Sequence, residues 1–291
     1  IPTGDGNKTV YVKYYDKAGN ISTVYSKSII LDTLVPTGSL NINSGAVATN
    51  ALIVTLNLSA ADTGSGMNTM SFSSDNVTYT TPETYATTKS FTLSGADGAK
   101  TVYVKYYDKY GRVSAVYSKA ITLDRVIPTG TITINSGALY AASTSVTLNL
   151  SGVDSGSGMN KMSFSTDNVT WTAQENYAVS KTFTIPTGDG NKTVYVKYYD
   201  KAGNISTVYS KSIILDTLVP TGSININSGA VATNALIVTL NLSATDAGSG
   251  LDKMSFSADN VTYTTPETYA ASKSFTLSGA DGAKTVYVKY Y

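Results

Sequence analysis

The feature that most constrains this chain is its own repetition. Asp16, Asp108 and Asp200 lie 92 residues apart, as do Asp32, Asp124 and Asp216, and Asp62, Asp154 and Asp246. Residues 1–107 also match residues 185–291 at a spacing of 184, with nine differences such as Leu40 against Ile224 and Met67 against Leu251. Two kinds of repeat therefore alternate. A unit of 92 residues is the size of a small domain and longer than most solenoid repeats, so each copy is expected to bury a core of its own. The boundaries fall as 1–32 (the C-terminal part of a repeat), 33–124, 125–216, and 217–291, a copy that stops before its last strand. The sequence reads as a slice of a longer array.

Within 125–216 the apolar residues alternate with polar ones. Ile132 and Ile134 come first, then Val146, Leu148 and Leu150 with Thr147 and Asn149 between them. Met162 and Phe164, Phe183 and Ile185, and Val194, Val196 and Tyr198 come next, and Ile213 to Leu215 close the copy. Period-two alternation predicts strands buried on one face. Turn clusters separate them: NSG at 135–137, DSGSG at 154–158, TDN at 166–168, TGDG at 187–190 and DKAGN at 200–204. No stretch keeps a helical period. About seven short strands without a helix predict an all-β, Greek-key β-sandwich. Strands are expected near 129–135, 145–152, 161–166, 169–172, 180–185, 192–199 and 205–215.

The stretches TGTITINSGA, SVTLNLSGVDSGSGMNKMSFSTDN, GDGNKTVYVKYYDKAGN and IILD recur in order in the complete repeats. Together they resemble the bacterial Ig-like domains found in tandem in large prokaryotic cell-surface and adhesin-type proteins. The resemblance covers the whole chain. It implies tandem immunoglobulin-like sandwiches arranged as an elongated rod, an extracellular or cell-surface location, and a stalk-like or adhesive role without catalytic residues. The Cys…Trp…Cys pattern of antibody domains is absent. Labelled in immunoglobulin fashion, the seven predicted strands run from A through B, C, a short C′ or D, E and F to G.

Composition narrows the function. The chain has 21 basic and 20 acidic residues, a net charge of +1, which lacks the concentrated positive face that nucleic-acid binding needs. It has no histidine and no cysteine, which removes imidazole and thiolate chemistry, disulfides and the usual zinc ligands. No apolar run is long enough for a membrane-spanning helix. No nucleophile has a base beside it, and no phosphate-binding glycine loop leads into a helix. Catalysis is not expected. A surface of neutral polar residues and 22 tyrosines suits an extracellular protein.

The repeated aspartates are the candidate site. In a seven-strand sandwich the B–C and F–G loops lie at the end where strand A enters, and strand G leaves at the other end. In a head-to-tail array the end of one strand G should therefore meet the next copy's two loops. Asp32, Asp62 and Asp108 should converge at one junction, and Asp124, Asp154 and Asp200 at the next. Asp216 and Asp246 would begin a third. Three close carboxylates repel one another and call for a cation or protons, and calcium, which takes six to eight oxygens, is the candidate ion, with the carbonyls of 156–158 and Asn204 as further ligands. The competing reading is that each aspartate caps its own turn by accepting a main-chain N–H two residues on. The proline-containing linkers at 31–38 and 123–130 should limit bending under either reading.

Two function classes emerge. One is the structural shaft of an extracellular fibre or cell-surface adhesin, whose partners are neighbouring repeats or further copies of the chain, including completion of one copy's sandwich by strand addition from another. The alternative is a carbohydrate- or ligand-binding spacer of a secreted enzyme, using outward tyrosines such as Tyr195 and Tyr199 on surface glycans. STDNVTW at 165–171 resembles an Asp-box, but it lacks that motif's glycine and is one residue short, so it is read as a hairpin turn.

Overall fold

The computed structural model describes residues 3–291. The first two positions of the segment assigned to 1–32 lie outside the described residues. The described chain is built of strands and turns. It groups into two compact units: one holds the chain up to Thr129 with Val153–Lys161 and Tyr198–Thr207, and the other holds Gly130–Gly152, Met162–Lys197 and Val208–Tyr291.

In the first unit, β1 (Gly6–Val12) and β2 (Tyr25–Leu31) form an antiparallel hairpin. The residues after it build two sheets. One pairs β3 (Thr37–Ile42), β5 (Ile53–Ala61) and β8 (Thr88–Thr92) in the order β3-β5-β8. The other uses β4 (Ala48–Thr49), β6 (Met67–Ser73), β7 (Glu83–Thr84), β9 (Gly98–Asp108) and β10 (Tyr117–Leu123) in the order β4-β10-β9-β6-β7. Non-consecutive neighbours of this kind are the Greek-key signature of an immunoglobulin-like sandwich.

The alternation in the sequence sets which face packs. In β5, Val54, Leu56 and Leu58 turn inward; in β9, Val102, Val104 and Tyr106 do the same. They meet Leu40, Ile42, Met70, Phe72, Ile121 and Leu123 in one core. Burying such side chains contributes about 1.5–3 kcal/mol each, which is what holds two short-stranded sheets together. Tyr106 is fully buried, and its hydroxyl donates to the Ser39 carbonyl at 2.7 Å, which satisfies the one polar atom its ring brings into the core.

The same pairing orders recur downstream. Thr129–Ile134, Ser145–Val153 and Ser180–Thr184 form one sheet, and Tyr140–Ala141, Tyr209–Leu215, Gly190–Asp200, Met159–Ser165 and Glu175–Asn176 another. In the second unit, Thr221–Ile226, Ile237–Thr245 and Ser272–Thr276 pair in the first manner, and Glu267–Thr268, Lys253–Ser257 and Tyr287–Tyr290 in the second.

One expectation is corrected. No strand forms at 169–172, where Asp167 gathers the chain into a turn; the short fourth strand is Glu175–Asn176 instead. That places Glu83, Glu175 and Glu267 on edge strands, each bonded to a lysine (Lys89, Lys181, Lys273) at 2.6, 2.8 and 2.6 Å. A two-residue strand went unforeseen. Ala48–Thr49 runs parallel to β10, with Asp124 N–H donating to the Thr49 carbonyl at 2.9 Å.

Gly38 lies where β3 passes over the core, and a Cβ there would stand 2.6 Å from both the Ser59 carbonyl oxygen and the Tyr106 ring. Gly38→Ala should destabilise its repeat by about 1–3 kcal/mol, the usual range for overpacking. In urea unfolding followed by tyrosine fluorescence, part of the amplitude should move to lower denaturant while the remainder stays in place.

Candidate metal centre

The strand that carries YVKYYD places its aspartate by simple alternation. Val102, Val104, Tyr106 and Asp108 all point inward along β9, so Asp108 continues the core face one step past the apolar residues. It is fully buried. Asp32 follows β2 directly and Asp62 follows β5 directly. One oxygen of each carboxylate can reach the others within 4.8 Å, and Asp124, Asp154 and Asp200 form a second group of the same dimensions. The structure thus brings together six of the eight aspartates singled out from the sequence. Asp216 and Asp246 stand at the corresponding positions in the second unit, where both bond to the same loop, Asp216 Oδ2 accepting from Ser249 N–H and Asp246 Oδ1 from Gly250 N–H, but no group of three forms there among the described residues.

Turn capping and convergence occur in the same side chains. Asp108 Oδ1 accepts from the N–H groups of Tyr110 and Arg112 at 2.8 and 2.9 Å. Asp62 Oδ2 accepts from those of Ser65 and Gly66 at 2.9 and 2.7 Å, and Asp32 Oδ1 from that of Leu34 at 3.2 Å. The remaining oxygens, Asp32 Oδ2, Asp62 Oδ1 and Asp108 Oδ2, are buried and have no hydrogen-bond partner. One oxygen of each residue holds its loop and the other is left buried and unbonded. A buried charged acceptor left unpaired costs more than the 1–3 kcal/mol of a neutral one, and each pair of like charges at this range adds on the order of a few kcal/mol near a protein surface. A divalent cation meeting all three oxygens would remove both penalties.

The donor set fits a hard cation. It offers carboxylate oxygens only, with no nitrogen or sulfur ligand, and calcium tolerates the irregular geometry of loop-borne ligands better than magnesium does. Two helpers expected from the sequence carry hydrogen bonds of their own. The Gly158 carbonyl accepts from Lys201 N–H at 3.0 Å, and the Asn204 side chain acts as a donor, to Asp200 Oδ2 at 2.7 Å and to the Asp124 carbonyl at 2.9 Å. The first glycine of the DSGSG turn makes room for the carboxylate. A Cβ on Gly156 would overlap the Asp124 side chain, and Gly64 and Gly248 stand in the same relation to Asp32 and Asp216.

A second aspartate series escaped the sequence reading. Asp5, Asp97 and Asp189, one in each turn before the YVKYYD strand, reach forward to the residue that starts the linker. Asp5 accepts from Thr33 N–H and Oγ1, Asp97 from Arg125 N–H and Nε, and Asp189 from Thr217 N–H and Oγ1, all at 2.6–3.0 Å. These bonds hold the carboxyls of Asp5 and Asp97 below the usual range. The signal was legible in the 92-residue spacing of these aspartates, but nothing in the sequence named their partners.

The other singled-out residues have structural partners. Asp167 Oδ1 accepts from Val169 and Thr170 N–H at 2.8 and 2.7 Å, so the Asp-box-like stretch at 165–171 is a turn. Tyr195 lies on the outward face as expected but half-buried, and so does Tyr199, while Lys197 between them covers the Trp171 ring at 4.0 Å.

Residues 1–33 and 126–217 match the family described as "Bacterial Ig-like domain". The matched stretch 126–217 is one full repeat of 92 residues. No curated relative matches the chain. Among solved structures, the chain is similar to the fibronectin(III)-like modules of Clostridium thermocellum CbhA (16% identity, TM-score 0.42, covering 61% of this chain and 94% of that one). It is also similar to a 1.5-MDa bacterial ice-binding adhesin (17%, 0.38, 84% and 86%) and to three N-terminal domains of the bacteriophage RB49 Highly Immunogenic Outer Capsid protein (14%, 0.38, 82% and 80%).

The main-chain N–H groups of Val77 and Thr78, with the Ser73 hydroxyl, lower the Asp75 carboxyl to about 2 from its ordinary 3.8. Because the folded value is depressed, the stabilisation is present above the ordinary value and is lost as pH falls through about 2. Asp75→Asn should lower the melting temperature at pH 7, and the gap from the parent should close as melts are repeated from pH 4 down to pH 2.

Proposed function

We propose that this chain is a stretch of a non-catalytic structural shaft, part of an extracellular fibre or a cell-surface adhesin, whose joints are held by calcium. The observation that carries the reading is the convergence of Asp32, Asp62 and Asp108, with three buried oxygens that bond to nothing else. Asp32 ends one repeat, and the other two belong to loops of the next. An ion bound there ties consecutive repeats together. Near-identity of the copies favours a role in setting length, since an array that provides reach needs only more of the same unit. The prolines and the Asp5, Asp97 and Asp189 tethers restrain the linkers further. Further copies of the chain and surface glycans are the partners this reading admits.

Calorimetry tests the reading. Millimolar calcium should raise the melting temperature by several degrees over the same protein in chelator, because a ligand that binds only the folded state stabilises it. Asp108→Asn should abolish most of that increment. A melting curve indifferent to calcium in the parent protein would sink it.

A further inference from the structure

The two groups of three aspartates have the same residues at the same spacing, yet their free valences differ. In the Asp32–Asp62–Asp108 group every carboxylate presents one buried, unpaired oxygen. In the Asp124–Asp154–Asp200 group only Asp154 Oδ1 does. Asp124 Oδ2 there accepts from Ser157 N–H at 2.7 Å, and Asp200 Oδ2 accepts from the Asn204 carboxamide at 2.7 Å. The same carboxamide donates to the Asp124 carbonyl at 2.9 Å, so Asn204 bridges the end of one repeat and a loop of the next without any ion. It is itself buried.

The residue four after the loop aspartate makes much of this difference. It is Asn204 after Asp200 and Asn20 after Asp16, but Arg112 after Asp108. Asn20 bonds Asp16 Oδ2 at 2.7 Å, as Asn204 does its own aspartate. Arg112 extends outward, donates Nη1 to the Thr33 carbonyl at 2.7 Å, and leaves Asp108 Oδ2 bare. Because residues 1–107 and 185–291 match at a spacing of 184, the asparagine form returns every second repeat.

We infer that the residue at the Arg112/Asn204 position sets the calcium affinity of each joint, so that arginine joints bind calcium tightly and asparagine joints, already bridged by the amide, bind it weakly. The inference rests on the calcium reading above. Its physical basis is competition. At the arginine joint an ion meets three oxygens whose only loss was hydration. At the asparagine joint it must displace a carboxamide from Asp200 Oδ2 and forgo the bond to the Asp124 carbonyl. In an array of alternating joints, calcium at intermediate concentration would stiffen every second joint, and higher concentration would stiffen the rest.

Bulk electrostatics predicts the opposite sign, which makes the test sharp. Removing a positive charge near three carboxylates should, on charge alone, favour a cation. Titration calorimetry of the 291-residue chain with calcium chloride should show a tight and a weak class of site. Asp62→Asn should delete the tight class and Asp154→Asn the weak one. Arg112→Asn should weaken the tight class at least tenfold, and Asn204→Arg should tighten the weak class at least tenfold. Arg112→Asn installs the residue that the fold already accepts at 204 and 20, and an unchanged melt in chelator would show that the variant folds. Tighter or unchanged calcium binding in Arg112→Asn overturns the inference while leaving calcium joints standing. An isotherm that neither Asp62→Asn nor Asp154→Asn alters overturns the calcium reading itself, and the inference with it.

Discussion

The arrangement depends on one constraint: a carboxylate placed on the core face of a strand just beyond the point where the apolar core stops. Asp108 occupies the inward register of β9 immediately after Val102, Val104 and Tyr106. A charge there has left bulk water without entering the core, so it must find partners at the rim of the sandwich. Main-chain N–H groups of its own turn satisfy one oxygen. The other is left for whatever adjoins that rim, and its neighbours there are the residue that ends the preceding strand, Asp32, and Asp62 beside it. The glycine of each DSGSG-type turn clears the space that this approach requires.

Each repeat thus contributes to a joint from both ends. Its last strand supplies an aspartate to the next repeat, and the turn before its penultimate strand supplies another, as Asp97 does, to restrain the linker by bonding its first residue. The restraint at the Asp97 side is an exposed ion pair with Arg125, the kind of contact that contributes under about 1 kcal/mol alone. The buried side can do far more, because unpaired buried oxygens convert ion binding directly into stability.

Much of this was legible in the sequence. The period of 92 and the two-residue alternation pointed to the sandwich, and extending the alternation of Val194, Val196 and Tyr198 by one step reaches Asp200. The convergence of Asp124, Asp154 and Asp200 could be read from which sandwich end each strand leaves. Three things were not legible. The strand at Ala48–Thr49 is two residues long, too short to show a period, and is defined only by its distant partner in β10. The turn at 169–172 carries strand-like residues, but the local bonds of Asp167 override propensity there. The bond of the Asn204 carboxamide nitrogen to the Asp124 carbonyl joins residues 80 positions apart, which no local pattern reports.

The central claim is that an ion at these joints holds neighbouring repeats in register. Small-angle X-ray scattering of this chain in saturating calcium and in excess chelator addresses it most directly. The account predicts a larger maximum dimension in calcium and, in chelator, a profile that takes on the features of a bending chain. Superimposable profiles in the two conditions, with the same maximum dimension, would contradict it.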